Sequence, residues 1–289
     1  MRPDRFQHFV AIDWSGAMGT RQKGIAVALC THGDAAPKLV RSDHRWSRTE
    51  VLEWLLSELP ADCLIGLDLS PGLPFEDAGA YFPGWPKSPA TARDLWRMVD
   101  AHGRDGDHLS ANHFIAEPQV HRHFRHGKGD CGDLFSGGAG RMRRTEVRQR
   151  LLKLSPSSCF NLVGAAQVGK SSLTGMRVLH RLHKAIPVWP FDDVPDAGPL
   201  IVEIYTSLAA RAAGIPPGRS KMLTAKDLDE ALARLGVGNH AALPRYSDHA
   251  TDAILTSAWL RSAAGEADLW SPDGLSEVAQ TEGWTFGVQ

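Results

Sequence analysis

Five acidic residues stand where acids are costly. Asp13 interrupts the apolar run "HFVAIDWSG" and Asp68 interrupts "DCLIGLDLSPGLP". A charge within a buried strand is unfavourable unless it is paired or bound to a cation. Asp248 and Asp252, in "SDHATDAILTSAWLRSAAG", are four apart and project from one helical face. Glu203 closes a third apolar run, "LIVEIYTS". If adjacent strands carry Asp13 and Asp68, both reach one edge of a sheet. If the late helix packs beside the first strand, Asp248 and Asp252 join them. Such a cluster repels itself and calls for a hard cation; all-oxygen ligands favour Mg²⁺ or Mn²⁺ over zinc. Two ions about 3.5–4 Å apart would activate a water and stabilise the leaving oxygen of a phosphodiester. Structural alternatives stand beside this. Asp248 suits a helix N-terminus, Asp252 an arginine partner, and Asp68 the cap of its Pro-Gly turn. Glu203 is a further ligand, a general base, or the partner of a Lys or Arg.

A second signal is Gly-x-x-x-x-Gly-Lys-Ser, from Gly164 to Ser171. Three readings are open: an ATP-binding P-loop, a turn offering N–H groups to a substrate phosphate, or glycines that permit close helix–strand packing. An NTPase also needs an acid on a neighbouring strand, and the downstream candidate is Glu203. The second reading makes Gly169, Lys170 and Ser171 phosphate contacts; Ser15 of "DWSGAMGT" is a further candidate phosphate contact.

The elements that must position these residues follow a β-β-β-α-β order. "HFVAIDWSG", "KGIAVALCT" and the weaker "APKLVRSDHRW" predict three strands joined by short polar links. "SRTEVLEWLLSEL" predicts a helix with a Ser47–Glu50 capping box, and "DCLIGLDLSPGLP" a buried strand. "TARDLWRMVDAH", "TEVRQRLLKL", "SLTGMRVLHRLHKA", "TAKDLDEALARLG" and the stretch around Asp248 predict helices; "CFNLV" and "PLIVEIY" predict strands. Residues 100–155 read as a basic, His/Gly-rich insertion with mobile parts inside a single domain spanning 1–289. Six histidines lie between His102 and His126, and scattered loop histidines are usually solvated.

In these residues the chain resembles the ribonuclease H-like superfamily, an α/β fold with a mixed sheet in β-β-β-α-β-α-β-α order. More narrowly it resembles an uncharacterised bacterial family of predicted nucleases, and distantly the RuvC-type resolvases. "VAIDWSGA", "LIGLDLSPGLP", "VEIYTSLAARAAG" and "DHATDAILTSAWL" carry the resemblance. It implies Asp13, Asp68, Asp248 and Asp252 as metal ligands, Mg²⁺ or Mn²⁺ as cofactor, and nucleic acid or another phosphoester as substrate. The second acid is Asp where many relatives have Glu, which shortens its reach. The sugar kinase and actin-like group shares the core, and "DWSGAMGT" resembles its phosphate-contacting hairpin; that group usually duplicates the core, and no duplication is visible here. Three functions follow: a metal-dependent nuclease; a nucleotide-binding phosphotransferase or ATPase using the Gly164–Ser171 loop; a non-catalytic nucleic-acid-binding protein on a nuclease-like scaffold.

Composition narrows the field. With 289 residues, 43% hydrophobic and 22% charged, the chain has material for a real core. No apolar run approaches membrane-spanning length, and the four cysteines form no CxxC pair, so a cytoplasmic protein with reduced thiols is expected. The net charge of −1 hides a segment, 120–184, with 13 Lys/Arg and three acids. Arg141, Arg143, Arg144 and Arg148 there are candidates to hold a phosphate backbone; the alternative is solvated helix faces.

Overall fold

The strand β1 (His8–Asp13) is buried along most of its length because it has a neighbour on both edges and helices over both faces. The computed structural model describes residues 5–164, 167–216 and 222–289. Along β1, Val10 and Ile12 enter one hydrophobic cluster while Phe9 and Ala11 enter the other, so the period-two alternation feeds two cores. β2 (Ala26–Thr31) pairs antiparallel with β1, and β3 (Lys38–Leu39) pairs antiparallel with β2. The third strand is much shorter than its predicted stretch. Arg41 adopts a φ of 54°, which turns the chain, and the polar run that follows forms a turn instead of a ladder.

Helix α1 (Arg48–Ser57) begins at the expected capping box. Ser47 Oγ accepts from the Glu50 N–H, and the Glu50 carboxylate accepts from the Ser47 N–H. β4 (Cys63–Leu67) follows, all five residues buried, and pairs parallel with β1. The middle of the chain supplies α2 (Ala92–Ala101), the short α3 (Asn112–Ile115) and α4 (Pro118–His121), and a small hairpin of β5 (Arg125–Gly127) and β6 (Asp130–Cys131). Next come α5 (Arg144–Leu151) and α6 (Val168–Arg181). The predicted strand "CFNLV" forms only one bridge, Asn161 to Arg125. β7 (Leu200–Glu203) then pairs parallel with β4. It is followed by α7 (Thr206–Ala212), α8 (Ala225–Arg234), α9 (Asp248–Ala263) and a last short helix, α10 (Leu275–Val278).

The result is a mixed five-stranded sheet, ordered β3-β2-β1-β4-β7, between two layers of helices. α1, α2 and α6 pack on the face of Val10 and Ile12. α7, α8 and α9 pack on the face of Phe9 and Ala11. α9 lies close over β1 and β2 through small residues such as Ala253, Ser257 and Ala258, and Ser257 Oγ donates to the Phe9 carbonyl at 2.8 Å. No helix among the described residues is long and apolar enough to cross a membrane.

Part of the stretch expected to be an insertion with mobile parts contributes to the core. Leu109, Phe114, Val120 and Phe124 are buried in the same cluster as β1 and β4. His123 is buried against Phe82, and burial, with Arg141 and Arg122 nearby, pushes its imidazole down to about 4. His121 and His126 stack, ring centroids 3.7 Å apart.

Candidate active site

Three acids stand at the carboxyl ends of three neighbouring parallel strands. Asp13 is the last residue of β1. Asp68 follows β4, its N–H continuing the ladder to the Ile12 carbonyl at 3.0 Å. Glu203 ends β7, opposite Leu67. Crevices at such strand ends are where open α/β sheets bind ligands. Strand parity then sorts the acids. Asp13 and Asp68 share the parity of Phe9, Ala11 and Leu64, the α9 face. Glu203 has the parity of Ile201, the opposite face, and turns to α5.

The first turn of α9 arrives on the Asp13 side. Ser247 caps it, its Oγ accepting from the Ala250 N–H. Asp13, Asp68, Glu203, Asp248 and Asp252 therefore line one cavity of about 500 Å³, together with Ser15 and Ser171. The sequence reading missed His249, whose Nδ1 lies 3.3 Å from both Asp13 carboxylate oxygens. The available signal was its place three residues before Asp252, which puts both on neighbouring parts of one helical face.

The electrostatics follow from crowding. Burial raises the Asp13 carboxyl, opposed by the hydrogen bond and charge of His249, with Asp248 adding to the rise. Asp68 is raised well above the usual carboxylate range by burial, then by the charges of Asp13, Asp252 and Glu203. The hydrogen bond to Asp13 raises His249, against the effect of burial. The donor set fits a hard cation in kind: carboxylate oxygens held close enough to feel one another. Among the described residues, no group of three or more His, Cys, Asp or Glu side chains is arranged to hold a metal ion as it stands.

Glu203 takes the structural option. Arg143, fully buried, donates to its two oxygens at 2.5 and 2.8 Å. The remaining N–H groups of Arg143 reach Glu146 at 2.9 Å, Ser70 Oγ at 3.0 Å and the Glu282 carbonyl at 3.0 Å. Burial opposes the charge on Arg143, but Glu146 and Glu203 outweigh it and hold the guanidinium charged. Arg143 was expected to grip a phosphate backbone; its donors are already spent. The same correction applies to Arg141, bound to Asp77 and to the carbonyls of Pro74, Ala80 and Tyr81. It applies also to Arg144, paired with Glu76 and Glu277.

Gly164, Gln167, Val168 and Ser171 of the Gly164–Ser171 loop line the cavity, while the N–H groups of Gly169, Lys170 and Ser171 are bonded within the chain. Ala165 and Ala166 lie outside the described residues. The N–H of Gly169 donates to the Asn161 carbonyl at 3.0 Å, and those of Lys170 and Ser171 to the Gln167 carbonyl at 3.1 and 3.2 Å. Ser171 Oγ accepts from the Gly16 N–H, and Lys170 does not line the cavity. Gly169 of the loop and Gly16 of "DWSG" serve close packing. A Cβ on Gly169 would stand 2.4 Å from the Cys159 carbonyl oxygen, and one on Gly16 would stand 2.3 Å from the Lys170–Ser171 backbone. The loop thus braces "DWSG", with Trp14 Nε1 donating to Thr174 Oγ1 at 3.1 Å.

No family model, curated protein or solved structure matches this chain.

Proposed function

We propose that this chain is a divalent-metal-dependent phosphodiesterase acting on nucleic acid, built on a ribonuclease H-like sheet. The observation that carries the reading is convergence: five acids from β1, β4, β7 and α9 line one cavity. Carboxylates gathered in one pocket call for a proton or cation to share, because each raises the cost of ionising the next. The sheet order β3-β2-β1-β4-β7, antiparallel on one side of β1 and parallel on the other, supports the fold assignment.

Asp13, Asp68, Asp248 and Asp252 are the residues that would hold Mg²⁺ or Mn²⁺. A bound ion would supply charge stabilisation at the reacting phosphate and an activated water. The chain's own groups do the rest. Asp13 orients His249 through Nδ1, which leaves Nε2 to pass a proton to a leaving oxygen. Glu203, clamped by Arg143, keeps the β7 end in place instead of acting as a base.

The test is incubation of the protein with labelled DNA and RNA, single- and double-stranded, in Mn²⁺ or EDTA. Cleavage should require the metal. Asp13→Asn and Asp68→Asn should each lower it by at least about a hundredfold while leaving thermal unfolding intact. Cleavage that persists in EDTA, or in Asp13→Asn, would overturn the assignment.

A further inference from the structure

A second cavity of about 420 Å³ opens at the β2–β3 edge, and it shares one lining residue with the acidic cavity, His249. Its charge is opposite. Lys23, Arg41, Arg45 and Arg245 line it against a single acid, Asp43. All four cations are exposed. Arg41 shares its charge with Glu58 at 2.6 Å, on a guanidinium that also lies over Trp46.

The two cavities meet at His249, and the buried Gly24 packs closely against it and Ser15. A Cβ there would stand 3.2 Å from both His249 Cε1 and Ser15 Oγ. A basic cavity that shares a wall, His249, with an acidic pocket solves a physical difficulty. The acidic pocket by itself repels a phosphodiester, and flanking cations recover that cost through neighbouring phosphates. A small phosphoester has no neighbouring phosphates and gains nothing from the groove. The arginines of segment 120–184 that seemed suited to this task, Arg141, Arg143 and Arg144, are consumed internally.

We propose that the β2–β3 groove takes the sugar–phosphate backbone of a nucleic-acid strand leading away from the acidic cavity, which makes the substrate a polynucleotide and not a small phosphoester. The inference rests on the phosphodiesterase reading for what happens at the cavity, but strand binding is measurable without it. Anisotropy of a labelled single strand about 20 nucleotides long, in EDTA, removes both metal and cleavage from the measurement.

Lys23→Glu/Arg245→Glu should weaken binding by roughly tenfold or more and flatten the slope of log affinity against log salt by about 1.4, two single-strand contacts' worth. Arg45→Gln/Arg245→Gln, a milder pair, should move both in the same direction. Lys128→Glu/Lys226→Glu, the same charge change on exposed residues outside the groove, should move neither. Hydrolysis of bis(p-nitrophenyl) phosphate in Mn²⁺ is the separate arm for the acidic cavity, and the groove variants should leave it unchanged. Absence of strand binding by the unaltered protein, or equal loss in groove and control variants, overturns the groove. Failure of diester hydrolysis with groove-dependent binding intact overturns only the phosphodiesterase reading.

Discussion

At the scale of single residues, the decisive group is Arg143. Its guanidinium holds two buried carboxylates, Glu146 and Glu203, that would otherwise face each other without a counter-charge. Breaking a buried pair from one side leaves the other charge stranded. Arg143→Met should therefore cost about 3–5 kcal/mol in urea unfolding. Arg143→Lys should recover little of it, because an ammonium cannot bond both Glu203 oxygens in the fork geometry. A loss below about 1 kcal/mol would show that the network contributes little. The sequence could not reveal this role. Arg141, Arg143 and Arg144 read as exposed cations because their partners, Asp77, Glu203 and Glu76, lie some 60 or more positions away in the chain.

At the scale of elements, α1 shows how much local chemistry can specify. Ser47 and Glu50 were legible as a capping box because the box needs only residues three apart, and the helix starts there. Burial disfavours the Glu50 charge, but hydrogen bonds from the Ser47 N–H, His44, Arg21 and Ser47 Oγ together outweigh it and hold the carboxyl at about 2. Its folded value lies below the unfolded one, near 4.3. The stabilisation is therefore present above the unfolded value and lost as pH falls through it toward 2. Glu50→Gln should cost about 1 kcal/mol at neutral pH and nothing near pH 2, followed by urea unfolding across that range. An equal cost at both ends would remove the charge from the account. The Gly164–Ser171 match shows the opposite case. The same local pattern that reads as a phosphate loop folds into a helix start whose N–H groups bond Asn161 and Gln167.

At the scale of the whole molecule, segregated charge becomes internal pairing. Arg177 and Arg181 of α6 reach Asp100, and Arg177 also reaches Asp107. Together with Arg141, Arg143 and Arg144 at the start of α5, they fasten the basic segment onto acidic stretches outside it. The middle segment is likewise tied into the core, where Phe114, Val120 and Phe124 are at most 1% exposed. Burying such side chains is worth about 1.5–3 kcal/mol each, against a total stability of about 5–15 kcal/mol. Deleting residues 109–124 should therefore abolish the cooperative thermal transition seen by circular dichroism. A truncated chain that melts cooperatively near the parent temperature would overturn this structural role for the segment.

The sequence by itself determined the β-β-β-α-β order of the first part, most of the longer helices and the acids at the strand ends, because alternation, capping and buried charge are local signals; the β5–β6 hairpin, α3, α4 and α10 left no such signal, and "CFNLV" forms one bridge where a strand was expected. It also placed Asp248 and Asp252 on one helix. Only the tertiary structure decided which charges meet. It set His249 against Asp13, spent Arg141, Arg143 and Arg144 on internal carboxylates, and brought Lys23, Arg41, Arg45 and Arg245 to one groove. The physical reason is that pairing energy depends on separation in space, and strand parity and helix packing set that separation without leaving a trace in residue spacing.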